Sequence, residues 1–180
     1  VKVPLIMSWK GVFPENIRND EILNLIDLTA TIVEAGKGMD LPFIDGKSFL
    51  NNITKNYKGG NETFSEFCMD NSLSWSSIKE PLISRMIRSD CWKYIYYHGY
   101  DDQMFNLKSD PDEMNNLVGK IKYSQIQKKL KDKLLQNWDP SKIKEIINRK
   151  AFSKKILKSW AQSVRPPEKY KWETKDEDNW

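Results

Sequence analysis

Residues 83–117 restrict the possible folds of this chain more than any other stretch: ISRMIRSDCWKYIYYHGYDDQMFNLKSDPDEMNNL. Ile83, Arg85 and Ile87 alternate with Ser84, Met86 and Arg88, the period of an extended strand with two unlike faces. Ser89-Asp90 makes a tight polar break. Trp92-Lys93-Tyr94-Ile95-Tyr96-Tyr97-His98 follows, rich in the aromatic and β-branched residues that suit a pleated surface. Gly99 and Asp101-Asp102 give a second turn, and Met104-Phe105-Asn106-Leu107 a third short strand. Asp110-Pro111-Asp112-Glu113 then has the order of a helix start: a capping carboxylate, a proline at the first position, and a glutamate placed to reach back. The pattern predicts a three-stranded antiparallel meander closed by a capped helical turn.

Upstream, Val3 to Trp9 is a short, nearly continuous apolar run, as expected of a strand buried on both faces in a parallel sheet. Asn19 or Asp20 is the expected cap of a helix running to about Ala35. Ile22, Leu25, Ile26, Thr29, Ile32 and Val33 form its apolar stripe, and Gly36 and Gly38 close it. Asp45-Gly46-Lys47-Ser48 lacks the upstream glycine of a phosphate loop and reads as a turn into a short helix, Ser48 to Ile53. Residues 55–63 form a Gly/Asn/Lys-rich loop, Phe64 to Met69 alternates as a first strand of the small sheet, and Asn71 to Glu80 is a polar link.

Downstream, Ile126, Leu130, Leu134 and Trp138 recur at helical spacing. Asp139-Pro140 breaks that helix and starts a second, with Ile143, Ile147, Ala151 and Trp160 on a looser stripe. Lys120 to Lys158 holds 12 Lys and 1 Arg against Asp132, Asp139 and Glu145, so 13 − 3 = +10. The rest of the chain, net +4 overall, is therefore 4 − 10 = −6. Such a segment is a candidate for nucleic acid or another polyanion, but lysines all round an apolar stripe fit a solvated helix face better, and no nucleic-acid partner is expected. The tail from Val164, with Pro166-Pro167, Trp172 and Trp180, is too polar to pack alone and is expected to anchor on a larger body.

Three of these segments, in this order, resemble the sulfatases. They are Val3 to Gly11 with Asp27 to Ile32, then Leu41 to Leu50, then the run from Met86-Ile87-Arg88 through Trp92-Lys93-Tyr94-Ile95, Phe105-Asn106-Leu107 and Asp110-Pro111 to Asn116-Leu117. Asn106 stands where that family usually has Asp, Ala30 where it has Pro, and Lys10 where it has Pro. The resemblance covers residues 1 to about 117. It implies an α/β fold (α+β for this chain as it stands): the last strand–helix part of a sulfatase-type α/β domain over residues 1–60, a small antiparallel subdomain over 61–119, and basic helices with a polar tail over 120–180. Val3 to Trp9 in a sheet and an antiparallel unit between Ser84 and Leu107 are the structural marks it predicts.

In that family, sulfate-ester hydrolysis uses a formylglycine nucleophile made from a Cys/Ser-x-Pro/Ala-x-Arg motif, a calcium ion, and Lys, His and Arg groups around the sulfate. Neither Cys68 nor Cys91 stands in such a motif, and two cysteines are too few for a disulfide framework or a structural zinc site. The chain opens on Val1 inside a strand-like run, so a missing amino terminus and a missing N-terminal α/β domain are expected. No catalytic or metal residue is assigned here. Asp101-Asp102 reads as a solvated turn, and Tyr94, Tyr96 and Tyr97 as cross-strand packing. His98, the single histidine, and Arg88 are the candidates for contact with an anionic sulfate-ester substrate, and Arg85 decorates the same strand. This chain alone is expected to be inactive. The other functions weighed are a non-catalytic anionic-ligand or nucleic-acid binding module, and a phosphonate or phosphodiester hydrolase of the same alkaline-phosphatase superfamily. No membrane partner is expected, because no apolar run approaches the length of a bilayer span.

Overall fold

In the computed structural model, residues 3–39, 42–55, 61–69 and 81–164 are described. The chain divides into two compact units, residues 1–67 with 83–138 and residues 68–82 with 139–180.

The sheet occupies the middle of the first unit. Strands β1 (Glu62–Met69), β2 (Leu82–Ser89), β3 (Trp92–Tyr97) and β4 (Gln103–Asn106) lie in the order β1-β2-β3-β4. β2 and β3 are antiparallel with Ser84 opposite Tyr97 and Arg88 opposite Lys93, and β3 and β4 are antiparallel with Trp92 opposite Asn106. The meander read from residues 83–107 is therefore present, and β1 is the expected first strand of the sheet, begun at Glu62 rather than Phe64. Asp90 takes φ +52° in the β2–β3 turn, a conformation that Asp tolerates better than most residues.

Because side chains alternate, this register sorts the sheet into two faces. Ile83, Arg85, Ile87, Tyr94, Tyr96 and Met104 point one way; Ser84, Arg88, Lys93, Ile95, Tyr97 and Phe105 point the other. The first face is covered by helix α3 (Ser124–Leu135), entered through a short 3-10 turn at Ile121–Tyr123. Ile87, Tyr94, Met104, Leu130 and Leu134 are buried together there, with Phe64, Trp92 and Ile126 packed around them. The i, i+4 spacing of Ile126, Leu130 and Leu134 is what lets one helix stripe cover that face.

Four expectations are corrected. Val3–Trp9 forms no strand, and Ile6 is 94% exposed. A parallel strand needs bonded neighbours, and among the described residues no strand pairs with this run; Trp9 O instead accepts from the backbone N–H of Val12 and Phe13. Helix α1 spans Leu25–Ala35, not Asn19 onward. Asn19 is spent on a local turn, its Oδ1 accepting from Glu21 N at 2.8 Å. Asn24 is the cap, in a reciprocal box with Asp27, whose Oδ2 accepts from Asn24 N at 3.0 Å.

The stripe of α1 is also turned the other way. Leu25, Ile26 and Ile32 are about half-exposed or more, and Thr31 is the buried residue. Thr31 Oγ1 donates to Asp27 O at 2.7 Å and accepts from Phe49 N at 3.1 Å, while Lys47 N donates to Asp27 Oδ1 at 2.9 Å. These bonds seat the 45–49 turn on α1 so closely that a Cβ on Gly46 would lie 2.1 Å from Ile26 O. Helix α2 follows at Leu50–Lys55, two residues later than expected. The helix end is closed by Lys37 in the left-handed region (φ +53°), between Gly36 and Gly38.

The fourth correction concerns residues 110–117, which form a turn rather than a helix start. Asp110 does act as a cap, its two carboxylate oxygens accepting from Met114 N at 3.0 Å and Asn115 N at 2.9 Å. Glu113, however, sits at φ +57°, which no right-handed helix admits. The expected loop at 55–63 falls outside the described residues at 56–60, as do the link at 71–80 and the tail from residue 165.

The second unit contributes helix α4, Pro140–Val164, begun as expected at Asp139-Pro140, with Asp139 Oδ1 accepting from Ser141 N at 2.9 Å. None of its side chains is fully buried. No helix among the described residues is long and apolar enough to cross a membrane.

Candidate functional site

The two residues singled out for substrate contact are not brought together. Arg88 is at the β2–β3 turn end of β2, while His98 follows β3, its N–H donating to Ile83 O at 2.9 Å. Five residues of strand separate the two places, roughly 16 Å at strand rise, and the alternation sends them to opposite faces. His98 Nδ1 lies 3.2 Å from Tyr96 Oη, a contact that fixes the ring beside the α3 face.

That face carries the densest polar cluster. Tyr94 is fully buried and donates from Oη to Asp102 Oδ2 at 2.5 Å. Lys131, from α3, donates to the same oxygen at 2.8 Å, and Tyr97 N donates to Oδ1 at 3.3 Å. Burial first, and the Asp102 carboxylate second, push the Tyr94 phenol far above its ordinary value of 10.0, so it stays a proton donor. Burial raises the Tyr96 phenol as well, opposed by Lys131, whose ammonium sits 5.4 Å from the Tyr96 ring centroid. Asp101 is exposed as a turn residue should be; Asp102 is not, its side chain being 9% exposed. Its partner Lys131 lies 29 residues away, and only the stripe of α3, which orients the helix, hinted at that pairing.

Arg85 serves this face too. Its Nη1 donates to Leu134 O at 2.7 Å, next to the carboxyl end of α3, where the helix dipole favours a cation. The guanidinium stacks near Phe64 (5.0 Å) and Trp138 (5.4 Å), and its Nε lies 3.1 Å from Glu66 Oε1 without hydrogen-bond alignment. On the opposite face Lys93 Nζ meets Glu113 Oε2 at 2.5 Å. Asn116 Oδ1 accepts from Met104 N at 3.0 Å, its Nδ2 donates to Asp102 O at 3.3 Å, and Leu117 N donates to Met104 O at 2.8 Å. The run from Asp110 to Leu117 is thus bonded along β4 and clamped to β3 by Glu113.

Neither group that the resemblance implies finds a place here. Calcium needs several converging oxygens, yet Asp102 is already held by Tyr94, Tyr97 and Lys131. Among the described residues no group of three or more His, Cys, Asp or Glu could hold a metal ion. Neither Cys68 nor Cys91 stands in the formylglycine motif. The described residues do not fit either group.

The motif residues therefore act as internal bonds around the sheet, and the family is decided by sequence. The profile of the family described as N-sulphoglucosamine sulphohydrolase, C-terminal, matches residues 1–140. The chain belongs to the sulfatases, matching their C-terminal portion. Arylsulfatase K of Bos taurus and of Homo sapiens is 26% identical to it over 176 residues, in each case covering 90% of this chain and 30% of the relative. The chain thus spans about a third of the length of these relatives. Among solved structures, a protein in complex with its substrate D-glucosamine-2-N,6-O-disulfate is similar with TM-score 0.51 and 22% identity, over 62% of this chain and 23% of the other. The phosphonate monoester hydrolase of Agrobacterium radiobacter is similar with TM-score 0.51 and 20% identity, over 61% and 23%. Those likenesses concern the fold. The family match runs through Val3–Trp9 although those residues form no strand, and the antiparallel unit between Ser84 and Leu107 is present.

Proposed function

We propose that this chain is the C-terminal subdomain of a sulfate-ester hydrolase and supports the chemistry without performing it. The carrying observation is that side chains in its most sulfatase-like run are committed to bonds within the chain: Asp110, Glu113 and Asn116 each hold the 102–117 region together through bonds described above. The nucleophile, the calcium ligands and the groups around the sulfate then come from outside the chain. In this reading residues 1–60 adjoin the larger α/β body, 61–119 form the small sheet subdomain, and 120–180 are a basic extension. The outward-facing Leu25, Ile26 and Ile32 of α1 are consistent with such a body, since apolar helix faces are ordinarily covered. The substrate class is a sulfate ester, with a sulfated amino sugar the variety suggested by the structurally similar protein.

An aryl-sulfate assay on the 180-residue chain, with and without calcium, tests this. Turnover at the level of the buffer blank is expected in both. Calcium-dependent release of sulfate by the chain alone would overturn the proposal.

A further inference from the structure

Arg88 has no hydrogen bond, ion pair or ring contact to any described residue, although it is only partly exposed and its Nε is fully enclosed. Its neighbours sharpen the anomaly. The register places Lys93 directly opposite, on the same face, and like charges facing each other across a strand pair are unfavourable. Lys93 is neutralised by Glu113. Arg88 is not, so one full positive charge remains on a half-buried patch floored by Phe105, which is 5% exposed. A guanidinium partly drawn out of water without an acceptor is costly, and a bidentate oxyanion is a strong partner for it.

Arg85 shows what the same residue type does when its acceptors are supplied by this chain. It stands three residues away on the opposite face, with Leu134 O, Glu66 and two aromatic rings around it. Nothing in the strand itself leaves an arginine unpaired, so the difference lies in what covers each face.

We propose that Arg88, with Lys93 beside it, is the recognition group of an oxyanion site on the face of the sheet away from α3, taking a sulfate or a carboxylate. The two sources share their chemistry: a sulfate ester of the substrate, or an acidic side chain of the sulfatase body. The site does not depend on this chain being inactive, so it stands or falls apart from the proposed function.

Thermal unfolding of the 180-residue chain tests it, with sodium sulfate, sodium acetate and sodium chloride added at matched ionic strength, for the parent and for Arg88→Met. A ligand that binds only the folded state raises Tm, whereas general salting-out acts on both proteins alike. The expected result is a concentration-dependent rise in the parent that is lost in Arg88→Met. A rise confined to sulfate assigns the site to the ester, and an equal rise with acetate assigns it to a carboxylate. Equal responses of parent and variant to every salt would overturn the site. So would a chloride effect in the parent as large as that of either oxyanion. Because Arg88→Met removes a charge that has no partner, it is expected to fold; should it fail to, Arg88→Lys keeps the charge but not the fork and is expected to weaken the oxyanion shift.

Discussion

The two faces of the sheet hold the same kinds of residue and treat them differently. On the α3 face a tyrosine, an arginine and an aspartate are enclosed, and each finds its acceptor or donor within the chain. On the other face Lys93 has Glu113, but Arg88, directly across the strand pair from Lys93, has no polar partner among the described residues. A buried polar group without a partner loses more than a satisfied one gains. Arg85 Nε and Trp138 Nε1 are buried on the α3 face without a hydrogen bond, but the charge of Arg85 is met there by Leu134 O and Glu66. In charge, the α3 face is therefore a finished core and the opposite face an incomplete one. The outward apolar residues of α1 belong with the second description: the helix is correctly capped and folded, but its stripe meets no described residue that buries it.

That contrast can be broken most severely at Leu134. It is fully buried at the centre of the α3 face, so Leu134→Ala is expected to cost about 3–4 kcal/mol in urea unfolding. A loss under about 1 kcal/mol would show that α3 is not the cover of a tight core. Asp102→Ala should follow at about 2 kcal/mol, because it strands the enclosed Tyr94 hydroxyl, while Lys131 can turn to water. Tyr94→Phe made in the same background should then add little, and a double-mutant cycle showing full additivity would mean that the two side chains do not interact.

The smallest of these effects lies in the 110–117 turn. Hydrogen bonds from the backbone of Asn115 and then Met114 hold the Asp110 carboxyl below its ordinary value of 3.8. A depressed carboxyl contributes stability that is present above pH 3.8 and lost as pH falls through the lower, folded value. Amide exchange at Met114 and Asn115 should accelerate relative to the rest of the sheet below that pH, and Asp110→Asn should flatten the dependence. An unchanged profile in the variant would place the acid sensitivity elsewhere.

The finished face was the more legible in sequence, for a physical reason. Alternation in Ile83–Arg88 and Trp92–Tyr97 fixes which side chains share a face, and the spacing of Leu130 and Leu134 supplies the helix that covers it. Periodicity says nothing about an absent cover. Hence the pattern of Val3–Trp9 suits a buried strand although no described strand pairs with it, and the α1 stripe suits an inward face although the buried, bonded side chain is Thr31. The Asp-Pro-x-Glu order at 110–113 suits a capped turn as well as a helix, and the choice fell to Lys93, which draws Glu113 across to β3. Of the candidate site, Arg88 was visible as a charged strand residue, but its distance from His98 and its lack of an acceptor follow only from the register.

The most direct test of a finished and an unfinished face is urea unfolding of Arg85→Met and Arg88→Met side by side, in buffer without sulfate or carboxylate. Removing Arg85 withdraws the donor to Leu134 O and should cost about 2 kcal/mol. Removing Arg88 should leave stability within about 0.5 kcal/mol of the parent or raise it, since an unpaired charge is lost to an apolar chain of similar length. If Arg88→Met instead costs as much as Arg85→Met, Arg88 already has its partner within the chain, and the two faces do not differ in the way described.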